Sequence, residues 1–326
     1  MRRRAVGIGL LGIGALLLGA ALAVQLFVVP TMVRLPLDQT GSTTVSDENA
    51  SYFSQEDLEQ HEGYVEGNVD VQGDPLADEA DDDVAVWHAG TTVTDENGDI
   101  VTPPTELVFC LDRTSAESVP CDSARLNDEA VDVEGLTVTF PIGTERRDYD
   151  FWNSNAGAVF PAVYAGEEEA EGLTVYRFEQ DIPEQVIDQR EVPSSFAGGT
   201  ESGNVTADVV FSNNRTFLVE PVTGSIVSAT DNPVIQLQGP DGAIGITILS
   251  AELIPSDEQV KDKVAAAADS RDQINLVSGT LPVILLVLGI VLVALGAFLL
   301  LRAGRRTPVR HEVAAEPEPA SVSQAS

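Results

Sequence analysis

Residues 140–153 read FPIGTERRDYDFWN, placing Phe140, Tyr149, Phe151 and Trp152 beside Arg146 and Arg147 in a chain that is 6% aromatic and carries a formal charge of −34. Arginine forks bind phosphate or uronate groups, and aromatic rings stack on sugar faces. On that chemistry Arg146, Arg147, Tyr149 and Trp152 form a candidate ligand-facing patch. The competing account puts Phe140, Phe151 and Trp152 in a β core, with the arginines paired to nearby acids.

Other reactive combinations are sparse. The histidines are His61, His88 and His311. No H-E-x-x-H, closely spaced His pair or G-x-S-x-G elbow occurs, so neither zinc nor nucleophilic hydrolysis has its residues. We assign no catalytic residue, metal or cofactor. The acidic run DEADDD at 78–83 reads as a solvated loop. DENGD at 95–99 opens like an EF-hand loop, with Glu106 in the twelfth position, yet Ile100 stands where Gly is needed and Pro103 and Pro104 follow. An Asn97-Gly98 hairpin turn accounts for the same residues. A carboxylate-dependent glycan hydrolase or transferase remains an alternative, on the weak ground that so many acids must include a suitably spaced pair.

Positioning elements follow from hydropathy. The chain starts Met1-Arg2-Arg3-Arg4 and then runs apolar from Ala5 to Pro30; a second run covers Leu276 to Leu301, and Arg302, Arg305, Arg306 and Arg310 come after it. Each run suffices for a helix of roughly 39 Å, enough to cross a bilayer. Basic residues flank both outer ends, which puts both termini in the cytoplasm and residues 31–275 outside the plasma membrane. A cleaved signal peptide with Ala21-Leu22-Ala23 as its site is the competing reading of the first run, and the apolar stretch continuing to Val29 favours retention.

The external segment holds 49 of the 52 acidic and 11 of the 18 basic residues, a net of −38 by subtraction. Such a domain repels nucleic acid. Its Cys110 and Cys121 are the only cysteines of the chain. In an oxidising compartment they are expected to form a disulfide, contributing about 3 kcal/mol by the chain-entropy argument.

The expected fold class is a β-rich α+β extracytoplasmic domain, a large antiparallel sheet or barrel-like sandwich, between two transmembrane helices. The expected boundaries are residues 1–30 for the first helix, 31–255 for the β-rich domain and 256–275 for a helical stalk. Residues 276–301 form the second helix and 302–326 a disordered cytoplasmic tail. Strand patterns occur at 83–93, 105–111, 135–143, 172–183, 213–233 with a Thr223-Gly224 turn, and 242–253. Ser256 with Gln259 three positions on is a capping-box start for the stalk.

Several stretches together resemble the actinobacterial porin PorA-like family, long treated as a domain of unknown function: VRLPLD, VWHAGTTVTDENG, the Cys110–Cys121 block, GLTVTFPIGTERRDYDFWN, PAVYAGEEEAEGLTVYRFEQDIP and RTFLVEPVTGSIV. FPIG and FWN depart from the FPFG-like and YWD-like versions of that pattern, so Asn153 stands where a carboxylate would. The resemblance implies a cell-envelope protein of mycolic-acid bacteria, linked to maturation of lipomannan and lipoarabinomannan. The two-span layout is also similar to that of CD36-like proteins, by architecture alone. The favoured function is binding a lipid or lipoglycan intermediate or assisting its maturation, beside membrane glycosyltransferases. A pore is the further alternative. It is disfavoured because the strands are short and acidic and the two apolar helices lack a polar stripe.

Overall fold

The computed structural model describes residues 2–304; the expected tail lies outside them from residue 305 onward. The chain forms two compact units, one built on the two terminal apolar helices and one spanning Val29–Val277.

In the first unit, α1 (Arg2–Ala23) packs against α4 (Leu281–Gly304). Glycines set the contact. A Cβ on Gly14 would lie 2.9 Å from the Gly289 carbonyl oxygen, and one on Gly296 would lie 2.8 Å from that of Gly7. The backbones therefore touch at two levels seven residues apart on each helix. Dispersion between close backbones is what holds helices together where lipid offers no hydrophobic drive. The other faces of both helices are apolar and exposed, Leu16, Leu22, Ile290 and Phe298 among them. Both helices are long and apolar enough to cross a membrane.

In the second unit a short helix, α2 (Val29–Met32), leads into fourteen strands: β1 (Thr40–Phe53), β2 (Gln60–Gly73), β3 (Val84–Asp95), β4 (Ile100–Asp112), β5 (Ser118–Val119), β6 (Arg125–Leu126), β7 (Glu129–Ala130), β8 (Tyr149–Asn153), β9 (Ala158–Ala170), β10 (Leu173–Pro193), β11 (Asn204–Val219), β12 (Ile226–Gln238), β13 (Ile244–Ser250) and β14 (Ile254–Pro255). They form one antiparallel sheet in the order β7-β6-β4-β3-β2-β1-β13-β12-β11-β10-β9-β8, with β14 on β1 and β5 on β4. The sheet is open, and its two ends share one core. Trp87 and Phe109 of β3 and β4 belong to the same buried cluster as Phe151, Phe178 and Phe217 of β8, β10 and β11. A second cluster joins Val45, Tyr52 and Val93 to Phe211, Ile235 and Leu249.

The stretch 135–140 is not the strand that its alternation suggests. Leu136 makes one parallel bridge to Phe151, and the backbone N–H of Phe140 donates to the Gly224 carbonyl at 3.0 Å. Both side chains are buried, at 1% and 0% exposure. The segment fills the space between the sheet's ends, where the Leu136 and Phe140 N–H groups find partners outside a ladder. Conversely β1 and β2 carry few apolar residues and show no strand signal of their own. They pair with each other along their length, and β1 also pairs with β13 and β14. Tertiary pairing supplies the ladder that propensity does not.

The Asn97-Gly98 turn joins β3 to β4, with Gly98 at φ 85°. The Asp95 carboxylate accepts the Asn97 and Asp99 N–H groups, each at 2.9 Å. Helix α3 (Asp257–Asn275) starts on Ser256, whose hydroxyl accepts the Gln259 N–H. The helix lays Val264 and Ala267 against Leu173, Val175 and Val227 of the sheet. The Gln259 amide turns to the Thr44 backbone, donating to its carbonyl at 2.6 Å and accepting its N–H at 3.0 Å.

Candidate functional site

The cysteines stand on β4 and in the loop after β5. Cys110 and Cys121 form a disulfide with Cα atoms 6.1 Å apart. It sits in a small cluster with Val86, Val108, Val119, Ala77 and Ala80 on the outer face of the sheet. The acidic run 78–83 folds over this cluster, with Asp81 accepting the N–H groups of Asp83 and Val84. Those two hydrogen bonds lower the Asp81 pKa from its ordinary value. Arg113 donates to the carbonyls of Asp81 and Asp82, and Arg34 pairs with Asp83. The acidic loop is thus held by two arginines. Among the described residues no group of three His, Cys, Asp or Glu side chains is placed to hold a metal ion.

The candidate ligand residues divide between two environments. Tyr149 and Trp152 are buried at 4% and 5% exposure, on strand β8. Arg146 and Arg147 lie outside, with side chains 63% and 55% exposed. The Arg147 guanidinium lies over the Tyr149 ring, 4.2 Å from its centroid, and pairs with Glu145 at 3.2 Å. The Tyr149 hydroxyl accepts the Glu145 N–H at 2.8 Å. Arg146 turns instead to β9 and β10, donating to the Tyr176 hydroxyl at 3.3 Å and pairing with Glu167. The structure therefore brings Arg147 and Tyr149 together, sends Arg146 to a neighbouring surface and places Trp152 inside. Trp152 Nε1 is buried there without a hydrogen-bond partner. Arg147 and Tyr149 line a cavity of ≈360 Å³ with Glu117, Ser118, Glu134, Asp148 and Asp150. Both guanidinium groups already have carboxylate partners, so an anionic ligand must compete with them.

Beneath this surface lies a polar network that residue patterns do not announce. Arg215, with only 18% of its side chain exposed, sits 2.5 Å from Asp231 and 4.7 Å from the centre of the Phe217 ring. Its Nε meets Asp231 as an ion pair outside the angle of a hydrogen bond, so Nε itself has no hydrogen-bond partner. The Gln180 amide donates to the carbonyls of Phe151 and Phe160, at 2.8 and 3.0 Å, and so ties β10 to β8 and β9. This network organises the core under the aromatic cluster.

The larger concavity, ≈1030 Å³, lies elsewhere, across β2, β3 and β4. Asp70, Gln72, His88, Gly90, Thr92 and Glu106 line it. His88 Nδ1 is 3.9 Å from the Glu106 carboxylate. The sequence offered one signal, Gly90 in the middle of an otherwise regular strand, since a glycine there leaves space or admits a close approach.

The family model described as Porin PorA matches residues 6–298. This chain belongs to the PorA porin family. The matched stretch takes in both apolar helices and the whole sheet. The Porin PorA of Corynebacterium amycolatum is 23% identical over 299 residues, covering 70% of this chain and 77% of that protein. The Porin PorA of Corynebacterium resistens (strain DSM 45100 / JCM 12819 / GTC 2026 / SICGH 158) matches locally, 46% identical over 48 residues, which is 15% of this chain and 12% of that one. The resemblance drawn from the motifs is thus established at family level. The relatives' names favour the pore alternative over the lipoglycan reading.

Proposed function

We propose that this chain forms a pore of porin type as an assembly of several copies. The observation that carries this is the family match over residues 6–298, together with a relative named a porin over most of its length. Two features limit how such a pore is built. The inner face of the sheet is filled by Trp87, Phe109, Phe140, Phe178 and Phe217, each no more than 2% exposed, so the sheet encloses no conduit. Gly14 and Gly289 bring α1 and α4 into backbone contact, which leaves no lumen between the two helices of one copy. A conduit therefore needs helices from further copies. The proposal places the protein in the plasma membrane, with both termini cytoplasmic and the domain of net charge −38 outside. Such a domain concentrates cations at the mouth, and the pore should select for them.

Planar-bilayer recording on the purified full-length protein tests this. Stepwise conductance with a reversal potential shifted toward the cation gradient is expected. A silent bilayer from well-folded protein would overturn the reading. The role would then pass to binding or maturation of a lipid or lipoglycan intermediate beside membrane glycosyltransferases. For that role the Arg147–Tyr149 cavity, flanked by Arg146 and the buried Trp152, is the candidate contact.

A further inference from the structure

The two chain connections between the membrane unit and the sheet unit are built alike. After α1 the helix turns π-helical at Val24–Val28, and α2 follows with Pro30 as its second residue. After α3 the helix turns π-helical at Leu276–Thr280, and α4 follows with Pro282 as its second residue. The boundary between the units falls between Val28 and Val29 on the first connection and between Val277 and Ser278 on the second. Each boundary therefore lies inside a π-helical turn or at its end.

Proline is the cause. It has no N–H to give the carbonyl four residues earlier, and its ring crowds that carbonyl. For Pro30 the carbonyl belongs to Leu26 and for Pro282 to Ser278, and both residues lie inside the π-helical turns. Helices in a bilayer tolerate proline when a local π adjustment and a neighbouring helix take over the freed backbone groups. Both remedies are present at the second connection. The Gln25 side-chain amide reaches across from the first turn and donates to the Ser278 carbonyl at 3.4 Å. Gln25 is the one strongly polar residue in the apolar run 5–30, and its hydrogen bond sets the two turns at one level.

Close packing ends where the turns begin. Gly7 and Gly14 on α1 meet Gly296 and Gly289 on α4. The next members of these two seven-residue series are Ala21 and Pro282, and both are buried. Beyond them no residue of 22–28 or 276–281 is buried. On the far side the chain is fixed again. The Leu35 N–H donates to the Arg113 carbonyl at 2.7 Å, and Ala267 of α3 is buried on the sheet. A non-α stretch between two packed regions, placed beside a proline, is where a helix bends.

We infer that the two proline-bearing turns form a double hinge between the membrane unit and the sheet unit, latched by the Gln25–Ser278 hydrogen bond. Two pivots at one level leave one easy motion, rotation about the line that joins them, and breaking the latch frees it.

Hydrogen exchange of the full-length protein in detergent micelles, read by mass spectrometry, tests the latch. Gln25→Leu should speed exchange across residues 276–284 roughly fivefold, the worth of one lost hydrogen bond. Pro282→Ala restores the missing N–H and should slow exchange in the same segment. Gly12→Leu, away from the turns, should leave it unchanged. Equal exchange in Gln25→Leu and the parent would overturn the latch. Acceleration spread evenly along α4 would overturn it too, because that marks general loosening of the helix pair. If Gln25→Leu fails to fold, Gln25→Asn, whose amide is too short to reach, decides by the same readout. The motion itself is read from spin labels on genetically encoded residues at positions 16 and 184, one in each unit, which leave the Cys110–Cys121 bridge intact. A broad distance distribution is expected, narrowing in the Pro30→Ala/Pro282→Ala double variant. A narrow distribution in the parent, or a broad one that the double variant does not change, would overturn the hinge. Conductance is not measured, so the outcome is independent of the pore reading.

Discussion

Phe140 stacks on Phe178 with ring centroids 4.6 Å apart and planes inclined by 28°. Phe140 also touches the rings of Tyr149, Phe151 and Phe217, at 5.4, 5.5 and 5.9 Å. It belongs to no strand, yet it packs on three of them, β8, β10 and β11, at one end of the open sheet. Phe140→Ala removes a wholly buried ring from a close-packed site and should cost about 3–5 kcal/mol. Chemical denaturation of the protein in micelles would measure this, and a loss under ~1 kcal/mol would show that the ring does not anchor these strands.

The seat of that residue is the Thr223-Gly224 turn. Gly224 has φ 74°, and a Cβ there would lie 2.2 Å from the Phe140 carbonyl oxygen. Gly224→Ala should therefore lower the melting temperature strongly, through both backbone strain and displacement of Phe140. Gly143→Ala serves as the comparison: it also has φ 78°, but its Cβ would meet nothing within 4 Å. It should show the strain component alone, near 1 kcal/mol.

In the membrane unit, Gly14→Leu should disrupt the α1–α4 contact, while Gly12→Leu should be tolerated because nothing lies within 4 Å of its Cβ. Thermal unfolding in detergent distinguishes them. Equal melting temperatures would mean that the glycine contact does not hold the pair.

Asp112 should contribute to acid stability. Its carboxylate accepts the Ser115 N–H at 2.7 Å and the Thr114 N–H at 2.9 Å. The Ser115 N–H is the main cause of a pKa lowered from 3.8, partly offset by burial. The folded state therefore holds fewer protons than the unfolded chain in this range. The contribution is fully present above the ordinary carboxylate value and fades as pH falls through the lowered folded one. Asp112→Asn should be less stable than the parent at neutral pH, by about 1 kcal/mol, with the gap closing in strong acid. Denaturation midpoints measured across the acid range check this; a gap that stays constant with pH would refute it.

Reducing the Cys110–Cys121 bridge, or replacing both cysteines with alanine, opens a loop of sequence separation 11 and should cost about 3 kcal/mol. Urea midpoints with and without reductant provide the measurement.

Local chemistry made much of this protein legible. Two apolar runs of membrane length, the Cys110–Cys121 pair, the Asn97-Gly98 and Thr223-Gly224 turns and the Ser256 cap are each set by residues within a few positions of one another. Hydropathy, ring closure, positive φ and capping act over such short distances. The family motifs were readable for the same reason.

Other features depended on distant partners. The alternation of Leu136, Val138 and Phe140 suggests a strand, but packing between the ends of the sheet makes that segment a filler whose Leu136 and Phe140 N–H groups bond outside any ladder. β1 and β2 look like polar loops until their neighbours complete their hydrogen bonding. The Arg146–Trp152 stretch was visible as an unusual composition. Only packing separated a buried Trp152 from an exposed Arg146: Trp152 is covered although strand alternation puts it on the face of the exposed Asp150, and Arg146 reaches out to Glu167 on β9. The cleft over Gly90 left a single residue as its trace. Its carboxylates come from β2, β4 and two loops, and register across three strands brings them together. Sequence alone thus determined the elements with local causes, while tertiary structure decided which surfaces they share, since burial and cross-strand register depend on residues far apart in the chain.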